Sequence, residues 1–175
     1  MDDGDKMAFE SGVMKRENNQ QTIVVQSGLV AFVDILGFKQ LLSANAAEES
    51  LKIINACMLK GLAGTENLFP RQAEIKTFVI SDSILIVQPN LTEAGIFVLA
   101  MFCKLFFYGL LMDGLPARGA IAAGNFFIQT TENQIVFAGQ PIVEAYELAN
   151  SLEIATCALT PSIETKVSLN LLPFF

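Results

Sequence analysis

The chain has 175 residues, a net charge of −7 and no histidine. That length allows one domain of mixed α and β structure with a real core. The acidity excludes the basic footprint of non-specific nucleic-acid binding. The lack of histidine excludes Ser-His and Cys-His nucleophiles and most zinc sites. Hydrophobic residues at 52% exceed the share in an average soluble domain, which points to an extra buried surface such as a dimer interface.

Residues 1–26 read as a polar arm of mixed charge, with no apolar core of a secretory signal. Residues 27–175 read as one domain. Its first element is the apolar run Gly28–Ile35, a β-type stretch interrupted by Asp34 and closed by Gly37. Gln40–Lys60 follows with helical spacing of Leu41, Leu42, Ile53, Ile54 and Met58, and Gly61 and Gly64 are expected to end it. Ile75–Ile80 and Ile84–Val87 read as a hairpin around Ser81-Asp82-Ser83.

Thr92–Met112 is an apolar helix with Thr92 as its N-cap and Glu93 in its first turn. Its segment Ile96–Met112 is as long as the shortest membrane spans. Lys104 sits at its centre, at a cost of roughly 2.5–3.5 kcal/mol on insertion scales. The expectation is a buried or interface helix and no membrane span. Ala117–Gln129 reads as a strand eased by Gly119 and Gly124, Gln134–Phe137 as its hairpin partner, and Gln140–Ser151 as a helix with Pro141 in its first turn. Ile154–Leu159 is a further strand and Pro161–Glu164 opens a short helix. The order predicts an α+β fold: a ferredoxin-like β-α-β-β-α-β sheet with helices on one face. The apolar end Leu171–Phe175 reads as a domain cut before its last hairpin. Cys57, Cys103 and Cys157 form neither a metal-ligand spacing nor a disulfide framework. They read as buried thiols of a cytoplasmic protein.

Two aspartates carry the chemistry. Asp34 interrupts a run of Leu, Val, Ala, Phe and Ile, and Asp82 sits at the turn of an apolar hairpin. A buried carboxylate needs a partner, either a basic side chain or a cation. If the two strands are neighbours, the carboxylates meet at one sheet end. There they suit two Mg2+ or Mn2+ ions about 3.5–4 Å apart. For Asp82, turn chemistry alone is a sufficient explanation. For Arg118 beside Gly119, a structural ion pair competes with a role toward phosphate.

Four segments in order resemble the class III adenylyl and guanylyl cyclases: Phe32-Val33-Asp34-Ile35-Leu36-Gly37-Phe38, Lys76 to Leu85, Arg118 to Gly124, and Phe137 to Ala145. The resemblance implies that Asp34, Asp82 and the carbonyl of Ile35 hold two Mg2+ or Mn2+ ions. It implies that Gly37, Phe38, Lys39, Phe78 and Arg118 face a nucleoside triphosphate, and that the chain forms a homodimer. The activity it implies is formation of a 3′,5′-cyclic mononucleotide.

The departures are specific. Phe78 stands at the base-selecting position, where an aromatic ring packs or stacks but reads no base edge. Val143 and Glu147 stand where the family has its transition-state Asn and Arg. The altered selector is similar to the pyrimidine cyclases of bacterial Pycsar antiphage systems, which implies a pyrimidine base and a role in antiviral defence. The rival readings are a catalytically silent, cyclase-like dimer that binds nucleotide or a protein partner, and a palm-type polymerase or dinucleotide cyclase.

Overall fold

The computed structural model describes residues 24–43, 47–70, 74–130 and 134–164. The expected polar arm lies almost entirely outside the described residues, and the apolar end Leu171–Phe175 lies wholly outside them. The elements run β1 (Val24–Ile35), α1 (Phe38–Ser43), α2 (Ala47–Leu68), β2 (Lys76–Ile80), β3 (Ser83–Gln88), α3 (Glu93–Met112), β4 (Ala117–Thr130), β5 (Ile135–Gly139), α4 (Gln140–Ser151), β6 (Cys157–Leu159) and α5 (Pro161–Glu164). The sheet order β2-β3-β1-β4 is antiparallel throughout, with β5 beyond β4 and a short parallel strand, β6, also on β4. The ferredoxin-like α+β expectation holds, with α2 and α3 together on one face and α4 added on the other.

Alternation along β1 decides what each face carries. Leu29, Ala31, Val33 and Ile35 enter the main core with Ile54, Met58, Leu99, Phe102 and Phe106 of α2 and α3. Val30 belongs to a second, smaller core with Leu85, Val87 and Phe126. The helical layer α2/α3 therefore covers the first face. On the other, α4 crosses β1 and β4, with Tyr146 edge-on to Phe32 at 5.2 Å between ring centroids.

The second core exists because the sheet folds back on itself. Phe137 of β5 reaches Phe78 of β2, strands at opposite ends of the sheet order, with ring centroids 4.4 Å apart. Gly28 and Gly124 are register partners at the root of the arm that makes this turn. A Cβ on Gly28 would lie 2.5 Å from the Gln88 carbonyl oxygen and 3.0 Å from Pro89 Cα, both backbone atoms. Gly28→Ala is therefore expected to cost about 1–3 kcal/mol, the usual range for overpacking, in urea unfolding.

α3 is long and apolar enough to cross a membrane by length and composition. Its stripe of Ile96, Val98, Leu99, Phe102, Cys103, Phe106 and Leu110 is buried within the domain, while Lys104 is exposed. Thr92 caps it as expected, its hydroxyl accepting from Gly95 N–H at 3.1 Å. Cys103 hydrogen-bonds with the Cys157 thiol and is buried, and both effects push its pKa well above the ordinary thiol value.

Several boundaries differ from the sequence reading, and β1 begins at Val24, within the expected arm and ahead of Gly28. The predicted single helix Gln40–Lys60 is two elements, α1 and α2. Gly61 and Gly64 do not end α2, which continues to Leu68. They serve as contact points: a Cβ on Gly61 would sit 3.2 Å from the Phe102 ring, and one on Gly64 2.8 Å from Leu105 Cδ1. The small residues let α2 approach α3, and tertiary packing outweighs their poor helix propensity. The strand expected at Ile154–Leu159 is confined to Cys157–Leu159.

Candidate active site

β1 delivers Asp34 to the end of the sheet, where its register partners are Ser83 on β3 and Arg118 on β4. The β2–β3 connection is a two-residue turn, Ser81-Asp82, since Ile80 pairs with Ser83. The Asp82 carbonyl accepts from Ile35 N–H at 2.9 Å. The hairpin turn is thus stitched to the residue after Asp34, and the two aspartates share one sheet end. Ser81 holds φ +60, a left-handed conformation that costs a non-glycine residue roughly 1–2 kcal/mol. Backbone strain of this kind concentrates where a turn must aim a neighbouring group.

Asp34 is not alone. Arg118 Nε donates to its Oδ2 at 2.9 Å, with side-chain exposures of 23% and 18% for Arg118 and Asp34. The guanidinium turns its remaining edge to the end of α4. Nη1 donates to the Asn150 and Leu152 carbonyls at 3.1 and 2.9 Å, and Nη2 to Asn150 Oδ1 at 3.1 Å. With four of its five donors engaged by protein groups, Arg118 has no fork left for a phosphate.

The other nucleotide-facing expectations divide. Gly37 sits at φ +78 in the turn from β1 into α1, a conformation that favours glycine. Phe38 is 4% exposed and belongs to the main core. Lys39 is exposed at the start of α1. The Phe78 ring is half-buried against Phe137. Val143 and Glu147, one turn apart, lie on the exposed side of α4.

The oxygen donors fit a hard divalent cation. Two carboxylates and a nearby backbone carbonyl, completed by substrate phosphates, are the donor set that Mg2+ or Mn2+ prefers. Among the described residues no group of three or more His, Cys, Asp or Glu side chains is placed so that it could hold a metal ion. A groove of about 520 Å3 between α3 and β6, lined by Phe97, Met101, Phe107 and Cys157, lies under the opposite face of the sheet and takes no part in this arrangement.

The sequence did not announce Asn150 and Leu152. Their contact with Arg118 spans more than thirty residues, and nothing in the local pattern of α4 marks its last turn as a receptor for a guanidinium.

No family model matches the sequence, and no curated protein matches it. Solved structures do match the fold. The adenylyl cyclase CyaB from P. aeruginosa superposes with a TM-score of 0.56 at 15% identity, covering 82% of this chain and 81% of that one. The non-canonical dimeric guanylyl cyclase domain of the RhoGC fusion protein from the aquatic fungus Blastocladiella emersonii gives 0.64 at 12%, covering 82% and 84%. A class III adenylyl cyclase-like ATP-binding protein from Pseudomonas aeruginosa gives 0.59 at 12%, covering 87% of this chain and 37% of that one. The chain carries the fold of class III adenylyl and guanylyl cyclase catalytic domains.

Proposed function

We propose that the chain is a nucleotidyl cyclase that converts a nucleoside triphosphate into a 3′,5′-cyclic mononucleotide and pyrophosphate. The observation that carries this reading is the meeting of Asp34 and Asp82 at one sheet end, through the Ile35–Asp82 backbone bond, in a domain of cyclase fold. In the reaction the ribose 3′-oxygen bonds to the α-phosphorus, the bond from that phosphorus to the bridging oxygen breaks, and the hydroxyl proton passes to solvent. Such a transfer needs positioning and electrostatics, with no nucleophilic side chain. Asp34, Asp82 and the Ile35 carbonyl would hold the ions. Bound Mg2+ or Mn2+ supplies charge neutralisation of the triphosphate and acidifies the 3′-hydroxyl. The chain's own part is to fix the two carboxylates at the end of a rigid sheet.

The exposed apolar residues Val79 (43%), Ile80 (65%), Ile135 (51%), Val136 (42%) and Tyr146 (51%) support a homodimer. A pyrimidine base, antiviral defence and a cytoplasmic location belong to the same proposal. They rest on the resemblance at Phe78 and on the unpaired thiols. A second reading, a silent nucleotide-binding dimer, is favoured by the Arg118–Asp34 ion pair and by Val143 and Glu147 on α4. Mn2+-dependent pyrophosphate release separates the two. Release from a triphosphate but not from its 3′-deoxy analogue is the expected result. Nucleotide binding without release supports the silent dimer.

A further inference from the structure

We infer that Arg118 is a positioning residue that latches the Asp34 carboxylate to the C-terminal end of α4, so that the state of α4 sets cation affinity at Asp34. The inference rests on the reading that Asp34 and Asp82 hold a divalent cation. One planar group spans both sides: Nε on Asp34 Oδ2 at 2.9 Å, Nη1 and Nη2 on Asn150 and Leu152 at 2.9–3.1 Å. A helix C-terminus presents unsatisfied carbonyls and negative dipole charge, which favours a cation there.

The latch matters because an arginine facing a carboxylate prefers to take both oxygens. Here the bond from Arg118 goes through Nε to Oδ2 alone, because Nη1 and Nη2 are committed to α4. This leaves the other oxygen of Asp34 for an ion. If the last turn of α4 moves or loses its acceptors, the guanidinium is free to rotate onto the carboxylate and compete for that oxygen. The outer face of α4 is where a partner would act, since Val143 (48%) and Tyr146 (51%) are exposed apolar side chains. Tyr146 also touches Phe32, two residues before Asp34 on the same face of β1. Contact on α4 is thereby read at the cation site.

The test is a double-mutant cycle on the full chain. Mn2+ alone is titrated and free Mn2+ is followed by electron paramagnetic resonance, with circular dichroism confirming the fold. Asn150 is exposed and does not touch Asp34, so Asn150→Ala reports only through the latch. The expected results are at least threefold weaker Mn2+ binding for Asn150→Ala, tighter binding for Arg118→Gln, and no effect of Asn150→Ala in the Arg118→Gln background. A purely structural ion pair leaves Asn150→Ala without effect, while Arg118→Gln still tightens binding because a positive charge beside Asp34 is gone. Unchanged or tighter binding in Asn150→Ala, or an equal effect in both backgrounds, overturns the latch. Wild-type binding retained in Asp34→Asn and Asp82→Asn overturns the cation site itself, and the latch with it. Should Arg118→Gln fail to fold, Arg118→Lys replaces it, because an ammonium keeps the charge without the fork and is also expected to remove the coupling.

Discussion

Asp34→Asn is expected to lower cyclase turnover by about a hundred- to a thousand-fold, the range for losing one preorganised electrostatic group in an active site. The domain should remain folded. Asparagine has nearly the same shape and keeps an oxygen for the Arg118 Nε donor, now 2.9 Å from Asp34 Oδ2. What it loses is the charge that a hard cation needs. Asp82→Asn should fall comparably, since its backbone bond to Ile35 N–H does not involve the side chain and survives the change. Turnover is measured as cyclic product per enzyme with Mn2+, and folding by circular dichroism and melting. A folded Asp34→Asn variant that works at the wild-type rate contradicts the assignment.

Phe102→Ala is expected to destabilise the domain by about 3–5 kcal/mol. The ring is fully buried on α3 and stacks on Phe106 at 5.8 Å between centroids with planes 16° apart. It also fills the space that Gly61 leaves open on α2. Removing it opens a cavity at the α2–α3 seam, and Gly61 on the α2 side has no side chain to fill it. Against a total stability of about 5–15 kcal/mol, the loss should appear as a large fall in the urea midpoint. A change under about 1 kcal/mol, the level of a conservative core swap, contradicts the placement of Phe102 at the heart of the core.

The sheet was legible because each strand advertises itself. An apolar run with Asp34 inside it is β1, and the pair of runs around Ser81-Asp82 is the β2–β3 hairpin. Thr92, Pro141 and the turn glycines carry local signals that need no tertiary information, and α4 has the bounds its pattern predicts. What stayed open or misread in sequence was decided in several places by contacts made at long range. Gly61 and Gly64 look like helix stops until α3 is seen packed against them. Phe78 offers core packing or a pocket wall in sequence, and only the fold-back of β5 brings Phe137 against its ring. Arg118 offers two roles in sequence, and only the positions of Asn150 and Leu152 show where its donors go. The candidate site was legible in its acidic half, because a carboxylate in an apolar strand is conspicuous. Its basic half was not, because an arginine on a strand carries no mark of its partners.

The central claim is that this pair of aspartates serves nucleotide cyclisation. The most direct measurement is incubation of the purified chain with ATP, GTP, CTP and UTP in turn, with Mn2+, and identification of products by mass spectrometry. The account predicts a 3′,5′-cyclic monophosphate from at least one triphosphate, absent from the Asp34→Asn and Asp82→Asn proteins. Absence of a cyclic product from all four, with metal-dependent nucleotide binding intact, contradicts it.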